Sequence, residues 1–155
     1  MFNARSITVP PVGEVHSQGQ RKTWEGQWLL CEFSIETPFA VLIYGERDAP
    51  LPAQRQALEQ MLACLPEWKN AATDAILALL QAAQADELIP ASVALRAENL
   101  WTHLTPARLE VSDYSHYGNG RDLLVSLGFI TPWNEDSGIQ IHLKNGDTFD
   151  GLGTE

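Results

Sequence analysis

The chain has 155 residues, 45% of them hydrophobic and 19% charged, enough for one sizeable core and incompatible with global disorder or a fibrous repeat. Twenty acidic side chains against ten basic ones give a formal net charge of −10. That balance excludes a binder of nucleic-acid phosphates, which needs clustered Lys and Arg, and suits a basic protein partner or plain solubility.

Met1–Pro11 lacks the basic-then-apolar order of a signal peptide. No stretch approaches the ~18 uninterrupted apolar residues of a membrane span. A cytoplasmic protein without membrane association is therefore expected. Cys31 and Cys64 fall in apolar runs and read as two buried, reduced thiols.

In chain order, Ile7-Thr8-Val9 predicts a short strand ended by Pro10-Pro11, and a loop with breakers Gly13, Gly19 and Gly26 follows to residue 27. From Trp28 to Ile35, Leu29, Cys31, Phe33 and Ile35 alternate with polar positions, the pattern of a strand with one buried face. Phe39–Tyr44 is apolar throughout, as expected of a strand covered on both faces. The Glu36-Thr37-Pro38 link makes these two strands an expected hairpin.

Leu58, Met61, Leu62 and Leu65 then recur at helical spacing, with Pro52 in the first turn and Pro66 as the expected stop. A second helix carries Trp68, Ala72, Ala75, Ile76, Leu79 and Ala83 on one face. Residues 86–96 read as irregular, and a helical turn is expected near Glu98–Leu104. Alternation returns with Leu109 and Val111, then Leu123, Val125, Leu127 and Phe129, then Ile139, Ile141 and Leu143. Asn145-Gly146 is a two-residue hairpin signal, because both positions tolerate positive φ. These elements predict one α+β domain over residues 1–155, an antiparallel sheet of N-terminal strands and a C-terminal meander packed on a central helical pair.

Signatures of chemistry are sparse. His16, His103, His116 and His142 are scattered, without His-x-His, His-x-x-x-His or Cys-x-x-Cys spacing, so no metal or other cofactor is expected. His142 alternates with apolar neighbours and should point to solvent, while His103 reads as a hydrogen-bonded structural histidine. There is no Gly-x-Ser-x-Gly elbow, and Gly118-Asn119-Gly120 precedes a strand pattern rather than a helix N-terminus. No catalytic residues are assigned.

The carboxylates stand out instead. From Glu110 to Glu155, eight acids face only Arg121 and Lys144. An acidic docking surface for a basic protein is the reading taken, with Glu110, Asp113, Asp122, Glu135, Asp136, Asp147 and Asp150 supplying charge and Tyr114, Tyr117 and Trp133 as aromatic anchors. A solvated rim of turns, or a cation site at Glu135 and Asp136 with Asp147 or Asp150, would use the same residues.

The segment Leu127–Ile141 resembles the closing segment of an uncharacterised group of bacterial α+β domains, in which a strand ends in Trp-Asp-x-Glu-His-Gly. Trp133, Gly138, Ile139, Ile141, Asn145-Gly146 and Gly153 match that pattern, and Asn134, Asp136 and Ser137 depart from its titratable positions. Some members lie beside polymorphic or contact-dependent toxins and are thought to act as immunity proteins. The resemblance thus implies a non-catalytic protein that neutralises a cognate toxin or effector by direct binding. A metal-dependent or enzymatic domain around Glu135 and Asp136, and a scaffold or regulatory domain with another protein partner, are the alternatives.

Overall fold

A computed structural model describes residues 4–18 and 22–154, with the side chains of residues 4, 18, 134–137 and 154 outside the description. Gly19 and Glu155 therefore lie outside the described residues. Strands β1 (Ala4–Val9), β2 (Gly13–Gln18), β3 (Thr23–Trp28) and β4 (Phe39–Tyr44) come first. Helices α1 (Pro52–Ala63) and α2 (Leu65–Ala85) and a short 3-10 turn at Leu100–His103 follow. Strands β5 (Thr105–Val111), β6 (Leu124–Thr131), β7 (Asn134–Lys144) and β8 (Thr148–Thr154) complete the chain. All eight strands form one sheet in sequence order, antiparallel except for the parallel pair β4–β5. The fold is thus mixed α+β, two antiparallel meanders joined where the helical crossover returns the chain in the same direction.

The first meander differs from the sequence expectation. Residues 13–18 and 23–28 form two strands where a loop is expected, and Gly26 is a strand residue, not a breaker. A Cβ there would lie 2.9 Å from the Glu14 carbonyl oxygen, so β2 and β3 meet at this register only over a bare backbone. Trp24 and Trp28 fill the buried face on either side.

The strand expected at Trp28–Ile35 is a turn. The Phe33 and Ser34 N–H groups both donate to the Leu30 carbonyl, and Ser34 Oγ accepts from the Glu36 and Thr37 N–H groups. Local bonds replace a ladder. Leu29 and Ile35 are exposed, Ile35 at 76%, and Cys31 is exposed too, which corrects its expected burial; Cys64 is half-buried. Phe33 alone of that alternating set turns inward, its ring 5.3–6.0 Å from those of Phe39, Trp68, Trp101 and Phe129. β3 and β4 do pair antiparallel, but across this longer connection. β4 buries Phe39, Val41 and Ile43 and leaves Ala40 and Tyr44 exposed, so one of its faces is open rather than both being covered.

Pro66 sits in the first turn of α2 rather than stopping a helix, a place where its missing N–H costs nothing. Leu58, Met61 and Leu65 are buried as their spacing requires. On α2 the buried set is Leu65, Trp68, Ala72, Thr73, Ile76 and Leu80, so the stripe passes through Leu80 and leaves Leu79 exposed. Trp68 Nε1 donates to the Met61 carbonyl at 2.8 Å, bracing α2 against α1, and Trp101 Nε1 donates to Thr73 Oγ1 at 2.9 Å. Side chains from helices and strands share one hydrophobic cluster around Trp24, Phe39, Trp68 and Phe129.

The second meander follows its alternation. Val111, Val125 and Leu143 form one cross-strand row on the buried face, and Leu109, Leu127 and Ile141 form the next. The Asn145-Gly146 turn has positive φ at both residues (56° and 79°) and leads directly into β8. A Cβ on Gly146 would lie 2.0 Å from the Ala57 carbonyl oxygen, so this hairpin also seats against α1.

Gln54 fastens the parallel junction. Its side chain is fully buried, and Nε2 donates to the Tyr44 carbonyl at 2.7 Å and the Ser112 carbonyl at 2.9 Å, next to the ends of β4 and β5. Its Oε1 accepts from the Leu51 N–H at 2.7 Å, which starts α1. Gln54→Ala would leave three backbone groups without this partner and is expected to cost about 2–4 kcal/mol, read as a lowered urea midpoint with unchanged m-value.

Candidate functional site on the open face of the sheet

Alternation along β4–β7 puts a second set of residues on the side opposite the Val111 row. Leu42 on β4, Glu110 on β5, Ser126 on β6 and His142 on β7 stand directly across from one another. Neighbouring strands lie about 4.8 Å apart, so Glu110 and His142 stand roughly 10 Å apart with Ser126 between them. Glu110, Ser126 and His142 of this row line a cleft of about 420 Å³, together with Tyr44, Ser112, Leu124 and Gln140. Asp113, Ser115 and His116, on the loop leaving β5, line it as well. A second cleft of about 600 Å³ on β2–β5 includes His16, Glu25, Leu42 and Arg108.

Each group has an identifiable state. Glu110 is half-buried and pairs with Arg108 at 3.2 Å. Asp113 accepts from the Ser115 hydroxyl and, at 2.9 Å, from the Ser115 N–H, and these bonds hold its carboxyl below the usual carboxylate range. The His142 ring lies over Gly153, where a Cβ would approach Cε1 and Nε2 to 2.8 Å. Burial, then the nearby His116, lowers the His142 pKa below its ordinary 6.5, with Asp150 opposing, so the imidazole is neutral at pH 7. The Ser126 hydroxyl is enclosed and, among the described residues, has no hydrogen-bond partner, on a residue only 7% exposed. His142 is thus half-buried in the cleft rather than directed to open solvent.

Beside the cleft, the loop before β6 assembles most of the acidic set. Tyr117 donates its hydroxyl to Asp150 at 2.8 Å, with the Lys144 ammonium 5.3 Å from its ring centre. Burial, with that bond to Asp150, pushes the Tyr117 phenol up to about 12. Asp122 is buried and accepts from Asn145 Nδ2 at 2.9 Å and Asn119 Nδ2 at 2.6 Å. Those bonds keep its pKa low, helped by Lys144 and Arg121, each 3.6 Å away. Asp147 and Asp150 are exposed, and Tyr114 is half-buried.

Trp133 belongs elsewhere. It lies just past the far end of β6, its ring 5.1 Å from that of His103, whose Nε2 is enclosed without the hydrogen bond expected of it. The eight residues of β6, at roughly 3.3 Å each, separate Trp133 from Asp122. Glu135 and Asp136 are in β7 near Trp133, and their side chains lie outside the described residues. The structure therefore brings Glu110, Asp113, Tyr117 and Asp150 toward one end and leaves Trp133 at the other. Among the described residues no group of three or more His, Cys, Asp or Glu side chains is placed to hold a metal. No helix is long and apolar enough to cross a membrane.

Sequence reasoning missed Tyr44, Ser126, Gln140 and the cleft role of His116 and His142. The available signal was parity: Glu110, Ser126 and His142 all alternate with buried aliphatic residues.

Residues 11–154 match the family described as Domain of unknown function (DUF6985), and the chain belongs to that family. No curated protein and no solved structure matches it.

Two titrations follow from this geometry. A histidine whose folded pKa is depressed lets the unfolded chain bind more protons, so His142 should erode stability as pH falls through about 6.5. The stability difference between wild type and His142→Gln, measured by urea unfolding from pH 8 to 5, should shift against wild type toward the acidic end. Asp122 works in the opposite window. Its ionised form is the bonded one, so Asp122→Asn should destabilise at pH 7, with the deficit shrinking below about pH 4 as the wild-type carboxyl protonates.

Proposed function

We propose that this member of the DUF6985 family is a non-catalytic binding protein that neutralises a basic protein partner, in the manner of an immunity protein against a cognate toxin or effector. The observation that carries this reading is the pairing of exposed acid with a rigid aromatic at one end of the sheet. Asp147 and Asp150 are exposed there, Tyr117 is fixed by its bond to Asp150, and among the described residues the lining of the adjacent cleft contains Glu110 and Asp113 and neither Lys nor Arg. Such a surface raises encounter rates with a positively charged partner and rejects acidic ones. Tyr117 loses little rotamer freedom on docking, because its hydroxyl and ring are already engaged.

In this reading the helical pair covers the buried face of the sheet and leaves the opposite face for recognition. Docking uses Asp113, Asp147, Asp150 and Glu110, while Asp122 is spent inside the loop network. The resemblance of Trp133, Gly138, Asn145-Gly146 and Gly153 to domains encoded beside toxins supports a toxin as the partner. Neutralisation by occlusion asks for no chemistry from this chain, only a surface that stays folded in one shape.

The test is co-expression with the product of the adjacent gene. A stable complex and rescue from that product's toxicity are expected. The double variant Asp113→Asn/Asp150→Asn should slow association on the order of tenfold at low salt, with a smaller loss at high salt. Absence of both complex and rescue overturns the reading.

A further inference from the structure

The cleft contains a feature that surface charge does not explain. Ser126 is more than nine-tenths buried, its hydroxyl has no hydrogen-bond partner, and it occupies the centre of the cross-strand row between Glu110 and His142. A buried hydroxyl without a partner forfeits stability, and nothing in the packing of the sheet demands a serine there. Its buried neighbours along β6, Leu124, Val125 and Leu127, are aliphatic. A polar atom left without a bond beneath a cleft is explained by a guest that bonds to it.

We propose that this cleft receives the guanidinium of an arginine side chain presented by the basic partner, with Glu110 and Ser126 as acceptors and Tyr44 and His142 as flat walls. The proposal rests on the docking reading above and names the chemistry of its central contact. Four observations favour it. Glu110 and Asp113 supply negative potential within the lining, and among the described residues the lining contains neither Lys nor Arg, with Lys22 acting on Asp113 only as the weakest of its influences. Glu110 pairs with Arg108 at 3.2 Å, a contact whose guanidinium is largely solvent-exposed and which is worth little. His142, kept neutral by burial and by His116, does not repel a cation at pH 7. Finally, acceptors spread along one row, beside Tyr44 and two imidazoles, match a planar fork that bonds at its edge and stacks on its faces. A compact ammonium reaches fewer of them.

Geometry adds one requirement. The Ser126 hydroxyl is sealed by its neighbours, so the guest must displace a side chain to reach it, and Glu110 and His142 are its cross-strand neighbours in the row. The His142 ring is therefore the reporter of occupancy.

The experiment uses the whole protein and two probes, Nα-acetyl-arginine methylamide and its lysine counterpart, followed by NMR at the His142 ring proton and the Ser126 amide. The arginine compound should give saturable shifts at both and the lysine compound about fivefold weaker binding. Glu110→Gln should weaken the arginine response about tenfold, whereas Glu59→Gln, exposed on α1 and outside both the cleft and the docking set, should leave it within about twofold. Ser126→Ala should weaken it several-fold while leaving the urea midpoint equal or higher, as removal of an unpartnered hydroxyl predicts.

No saturable shift at His142, or a response indifferent to Glu110→Gln, overturns the proposal. A complex with the adjacent gene's product that survives Glu110→Gln but not Asp113→Asn/Asp150→Asn also overturns it and leaves the docking reading in place. Saturation by the free arginine compound without any such complex overturns the partner as the source and identifies a small-molecule guanidinium site.

Discussion

The buried amide of Gln54 is the contact on which the architecture turns. Two antiparallel meanders can meet in a parallel pair only if the chain leaves one end of the sheet and returns to the other, and here that detour runs through both helices. Parallel strands also end on the same side, so the carbonyls near the ends of β4 and β5 emerge together, just where the sheet ladder gives out. A single carboxamide offers two donors and an acceptor in one plane. Gln54 spends the donors on Tyr44 and Ser112 and the acceptor on Leu51, joining both strand ends to the helix start. No aliphatic side chain could substitute, because burying those carbonyls unpaired costs more than the added packing returns.

That junction also positions the cleft. Beyond it the two strands diverge, β4 into the connection to α1 and β5 into the loop that carries Asp113 and His116. Tyr44 and Ser112, whose carbonyls Gln54 binds on one side, line the cleft on the other. The fold-defining contact and the cleft are thus back to back on the same two residues. The far wall is fixed separately. Asp122 holds Asn119 and Asn145 together, and Asn145 accepts the Leu123 N–H through its own side chain, locking the loop to the β7–β8 turn. The acid count of the C-terminal third therefore overstates the charge available to a partner, because Asp122 and, in part, Asp113 serve the loop itself.

The C-terminal meander was legible because each of its signals is local: period-two alternation at Leu109–Val111 and Ile139–Leu143, and an Asn-Gly turn that needs positive φ. The helices were legible for the same reason, down to Met61 and Trp68. β2 and β3 were not, since Gly26 reads as a breaker until β2 is laid beside it. Phe33 misled in the other direction. Its burial is real, but it comes from one side chain reaching an aromatic cluster out of a turn, while its alternating neighbours Leu29 and Ile35 face solvent. The cleft was illegible as a unit because it depends on register. Glu110, Ser126 and His142 are far apart in the chain, and a slip of one residue in either pairing would send one of them to the opposite face.

Register also sets the Ser126 face of the sheet apart from an ordinary solvated face. β6 is buried on both sides from Leu124 to Phe129, unlike the half-exposed β5 and β7 that flank it. A strand covered on both faces gains by being apolar throughout, and Leu124, Val125 and Leu127 obey that rule. Ser126 breaks it at the one position flanked by a carboxylate and an imidazole, and it does so without a bond of its own. Local rules in a stable domain tend to fail where stability has been exchanged for a site. The exception at Ser126 therefore bears more on function than the larger number of acids around it, most of which an ordinary solvated turn would also contain.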